Sequence, residues 1–304
     1  MMRAVVFRSF GAPEVLEPTD IEAPRAGAGE IRVRVRAAGV QPIDCAVRSG
    51  RRRPGFPIDF PHVTGGEFAG VVDQVGEGVT GIELDAHVLG FRTQWTYAEY
   101  VVVPADQVVV KPDAMSWEVA GGLSGAGQAA HTAVEALGVG DGDTFLINGA
   151  AGGVGTVAVQ LARHRGATVI GTASRRNHDY LRDLGAVPVT YGEGLVERVR
   201  ALAPQGVDAA LDAASADGLR DAMALVKDTD RVGTITSAEA CKELGARWIG
   251  SRRSLERLAD LARLHAEGLL RVHVRSTYPL KQAAEAHRDV ESGHGRGKVI
   301  LLVG

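Results

Sequence analysis

Apolar and polar positions change rhythm along this chain. Up to about residue 115 the period is two. Ile31-Arg32-Val33-Arg34-Val35-Arg36 alternates strictly, which predicts a half-buried strand with its arginines on the wet face. Residues 68–75 predict a second strand, ended by Gly76-Glu77-Gly78, and residues 97–103 a third, ended by Pro104. Near Ser116 the period lengthens: Ser116-Trp117-Glu118 opens a helix, with Ser116 placed to cap it. From there to about residue 249, short apolar strands at 144–147, 168–170, 187–189, 209–211 and 231–235 alternate with helices that include 154–165 and 178–184. Such alternation implies right-handed βαβ units and a parallel sheet. After Gly250 the regularity ends. An amphipathic helix at 255–267, a strand at 272–274, a helix at 282–290 and a last strand at 298–303 are expected. No internal repeat and no low-complexity tract occurs.

Composition narrows the class. With 304 residues, 45% hydrophobic and 23% charged, the chain is globular and long enough for about two domains. Lysine and arginine (34) nearly balance aspartate and glutamate (37), giving a net charge of −3, and aromatics are only 5%. Neither the electrostatics nor the base-stacking surface of a nucleic-acid binder is expected. Arg51-Arg52-Arg53 reads as a solvated loop or as a contact to an anionic ligand. Cys45 and Cys241 can form neither a disulfide framework nor a four-cysteine zinc site. With no secretory signal pattern and no run of ~20 apolar residues, the expected setting is cytoplasmic, without a membrane partner.

The strongest chemical motif is the strand Thr144-Phe145-Leu146-Ile147 running into Gly149-Ala150-Ala151-Gly152-Gly153-Val154-Gly155 and a helix. Glycines let the chain turn sharply and let a pyrophosphate approach, and the helix N–H groups then face the anion. Gly152, Gly153, Val154 and Gly155 are therefore candidate cofactor residues. A P-loop is excluded, because no Lys-Ser or Lys-Thr follows the glycines. Nineteen residues beyond Gly155, where an NAD site places an acid for the ribose hydroxyls, the sequence is Ser174-Arg175-Arg176-Asn177. A hydroxyl and guanidinium groups suit the 2′-phosphate of NADPH. The alternative is that the arginines merely open the next helix. Ser174, Arg175 and Asn177 join the candidate set. Ser124 lacks the final glycine of a nucleophile elbow, and His131 reads as an ordinary helix residue.

Together these segments resemble the medium-chain dehydrogenase/reductase superfamily, and within it the zinc-free quinone oxidoreductase (zeta-crystallin-like) branch. The resemblance covers essentially the whole chain. It rests on Ala38-Gly39-Val40-Gln41-Pro42-Ile43-Asp44, Gly65 to Val72, Tyr97-Ala98-Glu99-Tyr100, Asn148 to Gly155, Ala173 to Asn177 followed by Leu184-Gly185-Ala186, and Gly297-Lys298-Val299-Ile300. It implies an α/β fold: a GroES-like β-rich catalytic domain from residues 1–117 and 251–304, a doubly wound Rossmann domain from 118–250 that binds NADPH, and an active-site cleft between them. It adds Tyr191, Ala214, Thr236 and Ser237 to the cofactor set; Tyr191 has the alternative role of covering the sheet edge. Zinc alcohol dehydrogenases of the superfamily have cysteine at the place of Gln41 and histidine at the place of Gly66. No metal is therefore expected, and Cys45, four places late, reads as a packed residue.

Without a Lewis acid, a quinone or an α,β-unsaturated carbonyl is a better hydride acceptor than a simple ketone, because it spreads the arriving charge. The Gln41 carboxamide is the candidate catalytic donor to the developing oxyanion; it could instead hold the nicotinamide ribose. The branch usually has asparagine at 41 and often aromatics at 46 and 47, where this chain has Gln41, Ala46 and Val47. Ala129 stands for a threonine expected near the nicotinamide. These departures leave the substrate open. No side chain stands out as the proton donor: Tyr97 and Asp44 are candidates and solvent is the alternative, with Tyr97 otherwise reading as a packing residue of its strand and Asp44 as orienting its loop. The expected activity is an NADPH-dependent quinone or enone reductase. An enoyl-thioester reductase of a biosynthetic pathway and a non-catalytic NADPH-binding structural or regulatory protein are the alternatives. A homodimer is expected, paired through the edge strand at 246–249, where Trp248 and Ile249 would be buried at the interface.

Overall fold

The computed structural model describes residues 1–51, 58–293 and 295–304. Arg52 and Arg53 of the basic run lie outside them. In chain order the first strands are β1 (Met2–Phe7), β2 (Glu17–Ile21) and β3 (Glu30–Val40), followed by helix α1 (Pro42–Arg48). Then come β4 (His62–Val63), β5 (Glu67–Val75), β6 (His87–Phe91), β7 (Tyr100–Pro104), β8 (Val108–Val110) and helix α2 (Trp117–Ala136). A strand–helix alternation follows: β9 (Thr144–Asn148), α3 (Gly153–His164), β10 (Thr168–Thr172), α4 (His178–Asp183), β11 (Val187–Val189), α5 (Leu195–Leu202), β12 (Ala209–Asp212), α6 (Ala216–Leu225), β13 (Val232–Thr234), α7 (Ala238–Leu244) and β14 (Arg247–Trp248). The described chain closes with α8 (Leu255–Ala266), β15 (Val274–Pro279), α9 (Ala283–Glu291) and β16 (Lys298–Leu302).

Contacts divide the chain into two units. The first comprises Met1–Gly125, Arg253–Ala266 and Val272–Gly304, the second Ala126–Arg252 and Glu267–Arg271. The first unit is β-rich. Its larger sheet runs β15-β16-β3-β5-β6-β8, with β7 also paired to β3, and a small sheet runs β2-β1-β4. The alternation that predicted β3 is realised: Ile31, Val33 and Val35 are buried while Arg32, Arg34 and Arg36 are not. A one-residue slip would put all three apolar side chains in water, so burial of one face fixes the register. Arg32 is held bidentately by Asp73 of β5, at 3.0 and 2.8 Å. Ser116 caps α2, accepting the N–H of Val119 at 3.3 Å.

Three expectations shift here. The strand foreseen at 97–103 begins at Tyr100, where pairing with β3 starts; before it Ala98 makes only an isolated bridge to Ala4 of β1. The strand foreseen at 272–274 is Val274–Pro279, paired in parallel with β16. It is half-buried and polar, so its position follows from backbone pairing and not from apolar pattern. Ile249 lies just beyond β14, buried at 5% exposure and packed over Gly233 within the same chain, so it is a core residue and not part of an exposed edge. Trp248, 37% exposed, stays on the edge strand.

The second unit carries a parallel sheet in the order β11-β10-β9-β12-β13-β14. From β9 the chain proceeds outward one way through β10 and β11, then returns to lay β12, β13 and β14 on the other side. Right-handed crossovers in opposite directions put helices on opposite faces, which is the doubly wound arrangement. Leu146, Ile170, Val189, Ala210 and Val232, one from each of five strands, share one buried cluster with Leu195, Val199 and Leu219 of the helices. Strand order reverses between β9 and β12, and ligands of such sheets bind outside the carboxyl ends of strands at that point. No helix among the described residues is long and apolar enough to cross a membrane.

Candidate functional site

In the second unit the carboxyl end of β9 leads directly into the glycine turn. Gly149 has φ +74°, and a Cβ there would press on the Ala213 carbonyl at 2.9 Å; only glycine meets both demands at low cost. Gly152 is the N-cap of α3 and offers no side chain to it. The first intrahelical bond is Thr156 N–H to Gly152 C=O, at 2.9 Å. The N–H groups of Gly153, Val154 and Gly155 are thus the donors a helix start leaves without an intrahelical carbonyl, and Gly152, Gly153 and Val154 are partly exposed. This is an anion-binding geometry by backbone alone.

At the end of the adjacent β10, Ser174 stands at the N-cap position of a short helical turn, Arg175–Asn177, and its backbone carbonyl accepts the Asn177 N–H at 2.8 Å. The Asn177 amide donates to the Ser174 hydroxyl at 3.3 Å, and Asn177 is buried. Arg175 is exposed and no ion pair engages it among the described residues. Tyr191, just past β11, is 55% exposed. On the other side of the switch point, Asp212 ends β12 fully buried. One carboxylate oxygen accepts the hydroxyls of Thr234 and Thr236, both at 2.7 Å; the other accepts the N–H groups of Ala214 and Ser215, both at 3.1 Å. Ala214 and Thr236 are therefore held by one carboxylate. Ser237 is committed locally: its oxygen accepts Ala240 N–H at 3.1 Å and caps α7. The sequence reading had passed over the organising role of Asp212, which the acid at a strand end followed by small residues would have suggested.

In the first unit Gln41 is the N-cap of α1. Its backbone N–H donates to Asp44 Oδ2 at 2.9 Å, one half of a capping box. The Gln41 side-chain amide donates to Glu67 Oε1 at 3.0 Å. Glu67 is fully buried and pairs with Lys298 Nζ at 2.6 Å; Lys298 is itself buried. Its second oxygen accepts the N–H of Gly125, in α2, at 2.6 Å. A Cβ on Gly125 would overlap the Gln41 carboxamide, so glycine is what lets the helix backbone close on it. Arg253 donates through one nitrogen to the carbonyls of Gly66 and Arg92, each at 2.9 Å. Burial pulls its guanidinium pKa down, with Glu67 and Asp44 acting the other way.

Asp44 also accepts the Tyr97 hydroxyl at 3.0 Å. Tyr97 is thus a hydrogen-bonded partner of the Gln41 loop and not simply a packing residue. Burial pushes the Asp44 carboxyl up to about 7 and raises Tyr97 well above the ordinary phenol range. The Tyr97 ring meets His287 edge-on at 5.8 Å, and burial pulls His287 down to about 3. Cys45 packs toward α9, where its thiol faces the His287 carbonyl, and burial raises its pKa. Ser124 is buried in α2, and His131 faces Glu135 one turn along. Among the described residues no group of three or more His, Cys, Asp or Glu side chains is placed to hold a metal ion.

Residues 27–113 match the family described as alcohol dehydrogenase GroES-like domain, and residues 184–301 the family described as zinc-binding dehydrogenase. The quinone oxidoreductase of Mus musculus is 28% identical, over all of this chain and 98% of its own. A solved NAD-dependent alcohol dehydrogenase is 32% identical, covers 100% of both chains and superposes with a TM-score of 0.89. A mycobacterial protein solved in complex with NADPH is 30% identical over 99% of this chain and 100% of its own, with a TM-score of 0.86. These two neighbours carry different nicotinamide cofactors in their names, so the choice here turns on this chain's own residues.

Proposed function

Because the chain belongs to the medium-chain dehydrogenase/reductase superfamily, in its zinc-free quinone oxidoreductase branch, we infer that it is an NADPH-dependent reductase that passes hydride to a quinone or an α,β-unsaturated carbonyl compound without a metal. The observation that carries this reading is the filling of the position where zinc enzymes of the superfamily place a cysteine. A carboxamide stands there, bonded to a carboxylate already neutralised by Lys298 and by the Gly125 N–H. Zinc takes thiolate, imidazole or carboxylate. Gln41 and Gly66 offer none, and of the carboxylates beside them Glu67 is engaged by Lys298, Gln41 and Gly125, while Asp44 takes the Gln41 N–H and the Tyr97 hydroxyl. These residues do not fit zinc, and no step runs through it.

The second unit fits a dinucleotide. Gly152, Gly153, Val154 and Gly155 would hold the pyrophosphate through backbone donors. Ser174 and Arg175 would take the 2′-phosphate, with Asn177 fixing Ser174; Tyr191 would lie by the adenosine, and Ala214, Thr236 and Ser237 by the nicotinamide half. When bound, NADPH supplies the hydride, while the protein supplies orientation and electrostatics. Gln41 donates its amide N–H to the acceptor's oxygen as that oxygen gains charge.

NADPH should bind at least about ten-fold tighter than NADH, a difference of about 1.4 kcal/mol. Arg175→Ala should remove most of that difference while leaving NADH affinity nearly unchanged. Fluorescence titrations giving equal affinity for the two cofactors in the unmutated protein would reject the assignment. Exhaustive chelation should leave activity intact, and elemental analysis should find no stoichiometric zinc; one zinc per chain, lost together with activity, would reverse that. The deciding assay is NADPH oxidation against quinones, enones, enoyl thioesters and simple ketones. Turnover of quinones or enones supports the reading, simple ketones as the best substrates contradict it, and turnover confined to thioesters selects the biosynthetic alternative.

A further inference from the structure

Glu67 lies one residue beyond Gly66, and the reading of the sequence gave it no function. The inference about it rests on the role of Gln41 given above. Oε1 of Glu67 receives both Lys298 Nζ and the Gln41 side-chain amide, and Oε2 receives the Gly125 N–H. An ionised carboxylate accepts hydrogen bonds and donates none. The edge of Gln41 that faces it must therefore be the nitrogen edge.

This matters because a carboxamide is nearly symmetric in shape, and a half-turn exchanges its donor and acceptor. Without a fixed acceptor beside it, Gln41 would present either edge to a substrate oxygen, and only one of the two stabilises negative charge. The parts are rigidly placed. Gln41 follows β3, Glu67 begins β5 and Lys298 begins β16, and these three strands are hydrogen-bonded neighbours in the order β16-β3-β5. Gly125 brings the backbone of α2 against the same amide. A buried ion pair is an expensive way to fill space, since a well-packed apolar pair is often as stable. Its use here is intelligible if the charge itself is needed.

We propose that Glu67 is a positioning residue for hydride transfer: paired with Lys298 and fixed by the Gly125 N–H, it holds the Gln41 carboxamide with one N–H on the carboxylate and leaves the second N–H for the acceptor's oxygen. Glutamine at position 67 can donate as well as accept, so it would no longer dictate the orientation of Gln41.

The test is a double-mutant cycle on kcat with a quinone or enone that the wild type reduces, with NADPH Kd measured alongside. Gln41→Ala should lower kcat about 100-fold, the scale for loss of one oxyanion donor. Glu67→Gln should lower it at least about ten-fold, with NADPH Kd unchanged. Glu67→Gln placed on Gln41→Ala should cause no further loss, because nothing remains to position. A purely structural role would instead give additive losses. Should Glu67→Gln fold poorly, the Glu67→Gln/Lys298→Met pair, which buries no lone charge, carries the same measurement. Wild-type kcat in that folded double variant, or additivity with Gln41→Ala, overturns the positioning role while Gln41 stands. Wild-type kcat in Gln41→Ala overturns the reading of Gln41 and the positioning role with it.

Discussion

Lys298→Met should lower the free energy of unfolding by about 3–5 kcal/mol, the usual cost of leaving a buried charge without its partner. The pair it breaks is 2.6 Å long, with side-chain exposures of 6% for Lys298 and 0% for Glu67. Removing the ammonium leaves the carboxylate with the Gly125 N–H and the Gln41 amide as its hydrogen-bond donors and with Arg253 as the neighbouring cation. Adding Glu67→Gln should restore most of the loss, because the neutral amide oxygen can still accept from Gly125 and the methionine fills the volume of the lysine stem. Urea unfolding of the three proteins at neutral pH measures this directly. A Lys298→Met protein within about 1 kcal/mol of wild type would mean that Glu67 is not held as an isolated buried charge.

Asp44→Asn and His287→Leu should tilt the pH dependence of stability in opposite directions. The Asp44 carboxyl, ordinarily near 3.8, stands at about 7 in the fold because burial disfavours its charge. Between those values the native state keeps a proton that the unfolded chain has released, so this group makes the fold less stable as pH rises from about 4 to 7. The His287 imidazole, ordinarily near 6.5, stands at about 3, again from burial, with Arg48 adding to it. Between about 3 and 6.5 the unfolded chain binds a proton that the native state refuses, so this group makes the fold more stable as pH rises. The windows overlap and the two slopes oppose each other, each by up to about 1.4 kcal/mol per pH unit. Asp44→Asn removes the falling contribution and should leave stability rising from pH 4 to 6.5. His287→Leu removes the rising one and should leave stability falling over the same range. The charges around the pair are Arg48 with Glu291, Lys298 with Glu67, and Arg253, and all of them remain in each variant. Parallel pH profiles for the two variants would refute the assignment.

The sequence disclosed what is periodic or local. β3 was legible because a half-buried strand must alternate, and the turn at Gly149 to Gly155 because backbone geometry at a helix start demands small residues in a fixed order. Arg175 could be placed at the end of β10 by counting from that turn. What stayed hidden depends on residues far apart in the chain. Nothing in the surroundings of Glu67 announces Lys298, 231 positions later. Tyr97 looked like one more apolar member of a strand, because pattern registers burial and cannot register that a hydroxyl reaches Asp44, 53 residues earlier. Ile249 looked like half of an exposed edge because a strand's two faces are told apart by their neighbours, and the neighbour that decides it is Gly233, whose missing side chain makes the space Ile249 fills.

The position of β16 bears on how the protein is made. The sheet partner that β3 meets through β16 arrives some 260 residues later, pairing Val40 with Val299 and Ala37 with Leu302. Chains emerge from the ribosome from the N-terminal end, and domains tend to fold as units. The second unit, nearly all within Ala126–Arg252, can be complete while β3 still has an open flank. Glu67 then waits, with its strand laid down, for the lysine that pairs with it. Pairings so distant in sequence are slow to form, and residues 37–40 of β3, beyond the stretch that β7 covers, are a sheet edge until they do. During synthesis the passage most exposed to misassociation is therefore the interval between completion of the nucleotide-type sheet and arrival of the closing strand.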